Sequence, residues 1–388
     1  MAQNKPLSGI RVLDLTQLLP GPLCTQHLAD LGAEVIKIEP RKGGDPTRGL
    51  AGEQFSKMFL MVNRSKRSLA LDLRAPEDLA VVHKLVATAD VVVEGFRPGV
   101  TERLGVGYAQ LSAINPRLVY CSISGFGQDG PMAQVAGHDI NYECLAGVLE
   151  QTGTLGGAPT QGNFPVADLA GGTLSAAMGI LAALLGVQRT GKGTHVDISM
   201  TDCLMAHNIG ATTGLINTGA PVPRGGDYLS GGMACYGVYA TADGRHLALG
   251  AIEIKFWQAF CTTIDREDLI SRGHLLGEQG AEARATVAAI IGAEDFAYWM
   301  QVFKGVDCCL TPVLRVDEAL AHPNTVAREM VREVEHPLAG AHMEYAFPVR
   351  MSGYRLDERR PAPALGADNA AILLELGLEP APQRQGSH

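Results

Sequence analysis

Three titratable side chains and two basic clusters carry most of the chemistry available in this sequence. Asp168 stands in Phe-Pro-Val-Ala-Asp-Leu-Ala-Gly-Gly (164–172), just ahead of an Ala/Leu-rich run of helical character. A carboxylate there has two readings. It caps the helix by accepting hydrogen bonds from the first free N–H groups. Alternatively it is a general base or nucleophile, with helix N–H donors and the dipole favouring both its own anion and an oxyanion beside it. His138, in Ala-Gly-His-Asp-Ile-Asn-Tyr (136–142), lies in a loop that runs into a helix. An imidazole titrating near neutrality suits proton transfer, although a single histidine equally suits a structural role. Glu253, in Gly-Ala-Ile-Glu (250–253), ends an apolar strand and opens a helix, a place where glutamate is common for its charge alone. The clusters Asn-Arg-Ser-Lys-Arg (63–67) and Arg-Pro-Gly-Val-Thr-Glu-Arg (97–103) supply Asn63, Lys66, Arg67, Arg97 and Arg103. They read either as solvated charge or as phosphate-binding groups at the carboxyl ends of strands.

The elements that must position these groups alternate strand and helix. Gly9–Leu15 is β-branched and apolar, Cys24–Gly32 has apolar residues at helical spacing, and Glu34–Glu39 returns to strand character. This predicts a βαβ unit, with Pro20 and Pro22 opening the helix and Gly32 closing it. Strands at 68–73, 90–96 and 117–127 alternate with helices at 76–87 and 108–114, so the first two hundred residues read as a doubly wound α/β domain. Helical character over 171–186 and a strand over 191–200 follow. The composition shifts at Pro-Val-Pro-Arg-Gly-Gly (221–226), after which a hairpin about Ala-Asp-Gly (242–244) and helices near 253–263, 281–291 and 294–304 form a smaller α+β unit. A last helix is expected near 368–376. The domain boundaries that follow are 1–200, a linker over 201–228, a small domain over 229–327, and a returning segment over 328–388.

Composition narrows the function classes. With 388 residues, 46% hydrophobic and 19% charged, the chain is that of a globular enzyme of about two domains. A net charge of −9 and only 5% aromatic residues argue against nucleic acid as a partner. The first turn, Thr-Gln-Leu-Leu-Pro-Gly-Pro (16–22), lacks the Gly-x-Gly-x-x-Gly of a dinucleotide site, which argues against an NAD-dependent dehydrogenase. The opening segment has no basic, apolar leader, and the longest apolar stretch, Leu174–Val187, reads as a buried helix too short to cross a bilayer. Eight cysteines without a Cys-x-x-Cys pair point to reduced thiols in the cytoplasm, with the vicinal pair Cys308–Cys309 expected to be buried.

The motifs together resemble the family III CoA-transferase superfamily over nearly the whole length. The resemblance rests on GIRVLDLTQLLPGPLCTQHLADLGAEVIKIEP, NRSKRSLALDL, EGFRPGVTERLG, NPRLVYCSISGFGQDGP and RTGKG. Within it, GHDINY, PVADLAGG, GAIE and DCCLTPVL are similar to the α-methylacyl-CoA racemase branch. That similarity implies His138, Asp168 and Glu253 as the catalytic groups. It implies a Rossmann-like large domain with an inserted smaller α+β domain, in an interlocked homodimer whose active site is shared between subunits, so that Glu253 acts on the partner's His138. It also implies an acyl-CoA thioester as substrate, no required metal or redox cofactor, and CoA phosphates held by Arg41, Asn63, Lys66, Arg67, Arg97 and Arg103. In one place the sequence departs from the branch. The arginine expected directly after the acidic end of the second strand is Pro40 here, and Arg41 follows it.

Two reactions use the same residues. A thioester acidifies its α-C–H, and inverting that centre needs an acid/base group on each face. His138, made more basic by Glu253, would serve one face and Asp168 the other, with N–H groups at the start of the Asp168 helix holding the enolate oxygen. Epimerisation of 2-methylacyl-CoA is therefore the expected activity. The alternative is transfer of CoA between carboxylic acids through an aspartyl thioester at Asp168. Against it stands the short glycine run Ser-Gly-Gly-Met-Ala-Cys-Tyr-Gly (230–237), where transferases carry a longer one. A non-catalytic CoA-binding protein is the third reading, opposed by the intact set of three residues.

Overall fold

The computed structural model describes residues 5–52, 55–356 and 359–379. They divide into two compact units, one of Met1–Tyr142, Phe164–Leu204 and Pro323–His388, the other of Glu143–Asn163 and Met205–His322. The boundaries differ from the sequence reading chiefly at 143–163, which belongs with the second unit although it precedes Asp168. No shift in composition marks that exchange.

The first unit is built on a six-stranded parallel sheet of β1 (Arg11–Asp14), β2 (Glu34–Pro40), β3 (Lys66–Leu71), β4 (Val91–Glu94), β5 (Val119–Ser124) and β6 (Thr194–Ser199), in the order β3-β2-β1-β4-β5-β6. A sheet covered on both faces calls for strands apolar throughout rather than alternating. Val-Val-Val-Glu of β4 is accordingly buried at every position. Leu13, Ile36, Leu69, Val92 and Tyr120 from five strands meet Val82 and Leu85 in one core. The crossover helix Pro76–Val86 starts with Pro76, carries Glu77 and Asp78 in its first turn and His83 and Lys84 in its last, each sign at the helix end it stabilises. The C-terminal helix Asn369–Glu375 returns to the β3 edge. There the Asp368 and Asn369 side chains accept the backbone N–H groups of Ser68 and Ala70 (both 2.8 Å), and Ile372 enters the core, so the edge strand is covered.

The turn after β1 is held from behind by buried charge. Asp14 accepts the Thr16 N–H at 2.9 Å and an ion pair from Lys66 Nζ at 2.9 Å. Lys37 Nζ donates to the Thr16 carbonyl at 2.8 Å and pairs with Asp45 at 2.9 Å. Asp45 in turn accepts the Leu18 N–H, which fixes Leu18 in a left-handed conformation at φ 66°. Burial alone would raise the Asp14 carboxyl, but Lys66 and Lys37 hold it down at about 2.

The long helical element after Asp168 is continuous from Ala167 to Thr190, a π-helical segment Ala167–Leu174 leading into the α-helix Ser175–Thr190. Its 24 residues are long and apolar enough to cross a membrane by length and composition. This corrects the expectation that the segment is too short: the π-helical turns add residues that the periodicity did not assign to it. One face, with Ala176, Ile180, Leu184 and Val187, is buried, whereas Leu174, Met178 and Leu185 are exposed. A second hairpin, β10 (Val331–His336) with β11 (Gly340–Tyr345), was not legible in a stretch rich in charge.

The second unit carries an antiparallel sheet of β7 (Tyr236–Ala240), β8 (His246–Gly250) and β9 (Leu310–Pro312). Gly244 at φ 76° makes the β7–β8 turn at the expected place. The helices Ile254–Thr263, Gly277–Ile291 and Phe296–Val302 follow. They enclose an aromatic core in which Phe260 stacks on Trp257 at 5.4 Å and on Phe303 at 5.5 Å. Each such contact is worth about 0.5–1.5 kcal/mol beyond the burial of its area. Of the vicinal cysteines, Cys308 is buried as expected, but Cys309 is exposed with φ 55°.

Candidate active site

In an open α/β sheet of this order, the crossovers leave β1 and β4 in opposite directions, and a crevice opens at their carboxyl ends. Thr16–Leu18 and Gly21 after β1, Gly95–Pro98 after β4 and Ser124–Phe126 after β5 line a cavity of about 470 Å³ there, together with His138, Asn141, Tyr142 and Asp168. A larger cavity of about 750 Å³ lies over the ends of β1, β2 and β3 and is lined by Arg41, Lys42, Arg74 and Arg103. Gln17 and Phe96 line both, so the two are neighbours.

Local sequence explains how His138 and Asp168 come together. The Tyr142 ring is buried against Phe126 (5.2 Å, edge to face), and its hydroxyl donates to the Gly137 carbonyl at 2.5 Å. This draws the loop over the helix Asp139–Leu145 and leaves His138 at the helix start, its N–H given to Asn141 Oδ1 at 3.0 Å. A Cβ on Gly137 would lie 2.7 Å from the tyrosine ring, so glycine is required. Asp139, next in the motif, accepts the backbone N–H of Asp168 at 2.9 Å. On the other side, Gly171 and Gly172 let the π-helix press onto its neighbours. Added Cβ atoms would stand 2.7 Å from the Met200 carbonyl and 2.8 Å from Pro20 Cβ. Thr173 Oγ1 donates to the Pro20 carbonyl at 2.8 Å. The pair of glycines after Asp168 thereby ties the carboxylate to the β1 turn. A π-helical segment at such a place is a frequent mark of a functional site.

Two expectations about Asp168 need correction. It is not the helix cap: the capping carboxylate is Asp139, and Asp168 sits one residue inside the π-helix with its own side chain left for the cavity. Nor does its setting favour the anion. Burial, reinforced by the charge of Asp139 and opposed by His138, pushes the Asp168 carboxyl up to about 6. The Asp168 and Leu169 N–H groups are also committed, to Asp139 and to the Pro165 carbonyl, so they are not spare donors for an enolate oxygen.

The basic residues separate into two groups. Arg41 and Arg103 line the larger cavity and Arg97 the smaller, at the carboxyl edge of the sheet. Arg41 is braced by a two-pronged contact with Asp78 yet remains largely exposed. Lys42 and Arg74 join this edge and were missed, because nothing in the sequence distinguishes them from surface charge. Asn63, Lys66 and Arg67 stand elsewhere. The cluster falls at the amino end of β3, not its carboxyl end. Asn63 and Lys66 are buried, with Lys66 bound to Asp14, Asn63 Oδ1 and the Pro22 carbonyl, and Arg67 is paired with Glu34 and Glu375. Their donors are engaged within the fold, which corrects the phosphate-binding expectation for these three. Substituting Arg103 with alanine is expected to weaken CoA binding about tenfold, an effect that shrinks at high salt. Titration calorimetry with CoA at two ionic strengths checks it.

Glu253 belongs to the second unit. It is the residue before the helix Ile254–Thr263, exposed, and makes no side-chain cap bond. Its carboxylate is near enough to the Cys309 thiol to help burial raise that group's pKa.

The comparisons with known proteins match this architecture. The profile of CoA-transferase family III covers residues 7–369. Human alpha-methylacyl-CoA racemase is 38% identical over 83% of this chain and 81% of its own length. The acetyl-CoA:oxalate CoA-transferase of Acetobacter aceti is 36% identical over 95% of both chains. The crystal structure of a CAIB/BAIF family protein from Brucella suis superposes with a TM-score of 0.82 at 30% identity, covering 96% of this chain and all of that one. Racemase and transferase relatives stand at similar identity, so similarity leaves the reaction open while fixing the lineage. An α/β enzyme with this parallel sheet, matched from its first strand to its last helix, belongs to CoA-transferase family III.

Proposed function

We propose that the enzyme epimerises the α-carbon of 2-methyl-branched acyl-CoA thioesters. The observation that carries this reading is the pair of Asp168 and His138 on one cavity, with Asp139 behind Asp168 and the Asp168 carboxyl raised to about 6. A proton-transfer group works best with a pKa near the working pH, since it must both take and return the proton. CoA lies along the larger cavity with its phosphates toward Arg41, Lys42, Arg74 and Arg103, and the thioester passes Gln17 and Phe96 into the smaller one. Asp168 takes or returns the α-proton on one face and His138 on the other. Arg97, exposed on the same cavity, supplies positive charge to the enolate oxygen. The chain's own residues account for each of these steps.

Glu253, exposed and without a capping bond, orients the His138 imidazole of a second copy in a homodimer. The exposed row Leu174, Met178 and Leu185 supports that assembly, because apolar residues on one helix face ordinarily seek a partner. We place the dimer in the cytoplasm, free of nucleic acid and membrane.

The second reading, CoA transfer, is favoured by one observation: the Acetobacter transferase aligns over more of this chain than the racemase does. There the Asp168 carboxylate attacks the thioester and expels CoA thiolate. The thiolate then attacks the aspartyl carbonyl of the mixed anhydride, releasing the acid and leaving an aspartyl thioester. The two separate on their need for an acceptor. With acyl-CoA and labelled succinate, the epimerase reading expects no label in the CoA pool. Rapid succinyl-CoA formation, seen by mass spectrometry, would transfer the assignment to the second reading.

A further inference from the structure

The second unit contains a cavity of about 480 Å³ for which the chemistry above has no use. Its walls are one side of the β7-β8-β9 sheet, including Gly250, Cys309 and Thr311, and the glycine-bearing loops around Gly153, Gly225 and Gly231. No aspartate or glutamate lines it, and its one cation is Arg284.

Arg284 projects from the helix Gly277–Ile291, beside the buried Ala283. Its Nε is buried with no hydrogen-bond acceptor, and among the described residues no carboxylate forms an ion pair with it. Its polar neighbour is Tyr239, whose hydroxyl donates to the Ala234 carbonyl at 2.6 Å and accepts from the guanidinium, which still leaves Nε unanswered. The loop comes close because Gly231 has no side chain: a Cβ there would lie 3.6 Å from Arg284 Nη1, at φ 104°. A part-buried guanidinium with an unanswered N–H is costly, and in native structures such a group usually has a function. Leu155, Leu229, Val238 and Leu249 give the cavity apolar walls, with the uncharged hydroxyls of Thr154, Ser230, Tyr236 and Thr311 among them, which suits a short alkyl chain ending in an anion.

We infer that Arg284 anchors an aliphatic carboxylate in this cavity, presented either by the far end of an acyl group or by a free acid. The fork of the guanidinium matches a carboxylate in two parallel hydrogen bonds, and the acid-free lining offers no competing charge. Gly250 in its wall donates its N–H to the Cys309 carbonyl at 2.9 Å, and Glu253 follows three residues later in the same unit. The inference thus rests on the proposed role of Glu253 at the reacting end, and it narrows the acyl group to one with a distal carboxylate.

The test uses the full-length enzyme, with glutarate and its uncharged analogue glutaramide as probes in titration calorimetry. Glutarate is expected to bind at least about tenfold more tightly than glutaramide, with Arg284→Met removing that preference and Arg284→Lys retaining part of it. KM for an ω-carboxyacyl-CoA should rise in parallel, relative to the alkyl thioester of equal length. Binding of the thioester without binding of free glutarate identifies the acyl chain as the source, and binding of both admits a free acid. Equal binding of glutarate and glutaramide by the wild type, together with no Arg284-dependent KM preference for the ω-carboxyacyl thioester, overturns the proposal, as does measurable glutarate binding that Arg284→Met keeps within twofold of wild type. Should Arg284→Met not fold, the wild-type pair of probes and Arg284→Lys decide. Exchange of the α-proton by the wild type is measured separately. Its absence, with Arg284-dependent binding intact, would sink the epimerase reading and leave the carboxylate site standing.

Discussion

Replacing His138 with alanine is expected to slow inversion of the α-carbon by about 10²–10⁴-fold, the usual share of a positioned acid/base group. The thioester should still bind, with KM within about threefold of wild type, because Arg41, Arg74 and Arg103, the arginines proposed to hold CoA, line the other cavity. The defect should also be one-sided. With only the Asp168 face competent, the variant should still exchange the α-proton of one configuration with solvent and fail on the other. A structural histidine would produce a different result. His138 is exposed and gives only its backbone N–H to Asn141, so the melting temperature should hold while inversion collapses. CoA transfer, which needs no base at the α-carbon, should be much less affected. Stereospecific proton exchange followed by NMR, beside a thermal melt, checks all three points.

The second large effect is at Asp168, where activity and stability are expected to move in opposite directions. Asp168→Asn should lose inversion by a similar factor of about 10²–10⁴, with residual exchange on the configuration facing His138. The same variant should be more stable than wild type at pH 8. The folded Asp168 carboxyl titrates at about 6, above its ordinary value near 3.8. The folded protein therefore binds the proton more tightly than the unfolded chain. Between those values wild-type stability falls as pH rises, and above about 6 the full penalty of a buried anion beside Asp139 is present. Asparagine removes it. A gain of about 1–3 kcal/mol is expected above pH 7, mostly gone at pH 4 and vanishing well below it, where both states of the wild type are protonated. Urea denaturation at pH 4, 6 and 8 reads it directly. Gains of this kind are typical where a functional group is held against its own solvation.

Much of this was legible in the sequence because it follows from local patterning. Continuous apolar strands between helices with proline at their starts specify a parallel sheet wherever they occur, and β1 to β6 and the helices between them fell close to their expected places. The order of strands then puts the ligand crevice at the ends of β1 and β4, which is where His138, Asp168 and Arg97 gather. What was not legible depends on contacts distant in sequence. Lys66 resembles a surface cation until β2 and β3 pair and bring it to Asp14, 52 residues away. Asp139 was visible beside His138, but its role as the cap for Asp168 rests on a bond spanning 29 residues. The π-helical start of the Ala167–Thr190 element depends on the close approach of Pro20 and Met200, which spacing alone cannot encode. Arg284 shows the same limit, since one arginine in a helix has no signature until its Nε is found buried without an acceptor.

The central claim is that Asp168 and His138 exchange the α-proton of a CoA thioester on opposite faces. The most direct measurement incubates the wild-type enzyme with a single epimer of a 2-methylacyl-CoA in heavy water, with no acceptor acid, and follows the α-position by NMR and chiral analysis. The expected result is loss of the α-proton signal together with growth of the opposite epimer toward an even mixture, the product carrying deuterium. An α-proton that persists unchanged at a single configuration, with CoA moving only once an acid such as succinate is added, would contradict it.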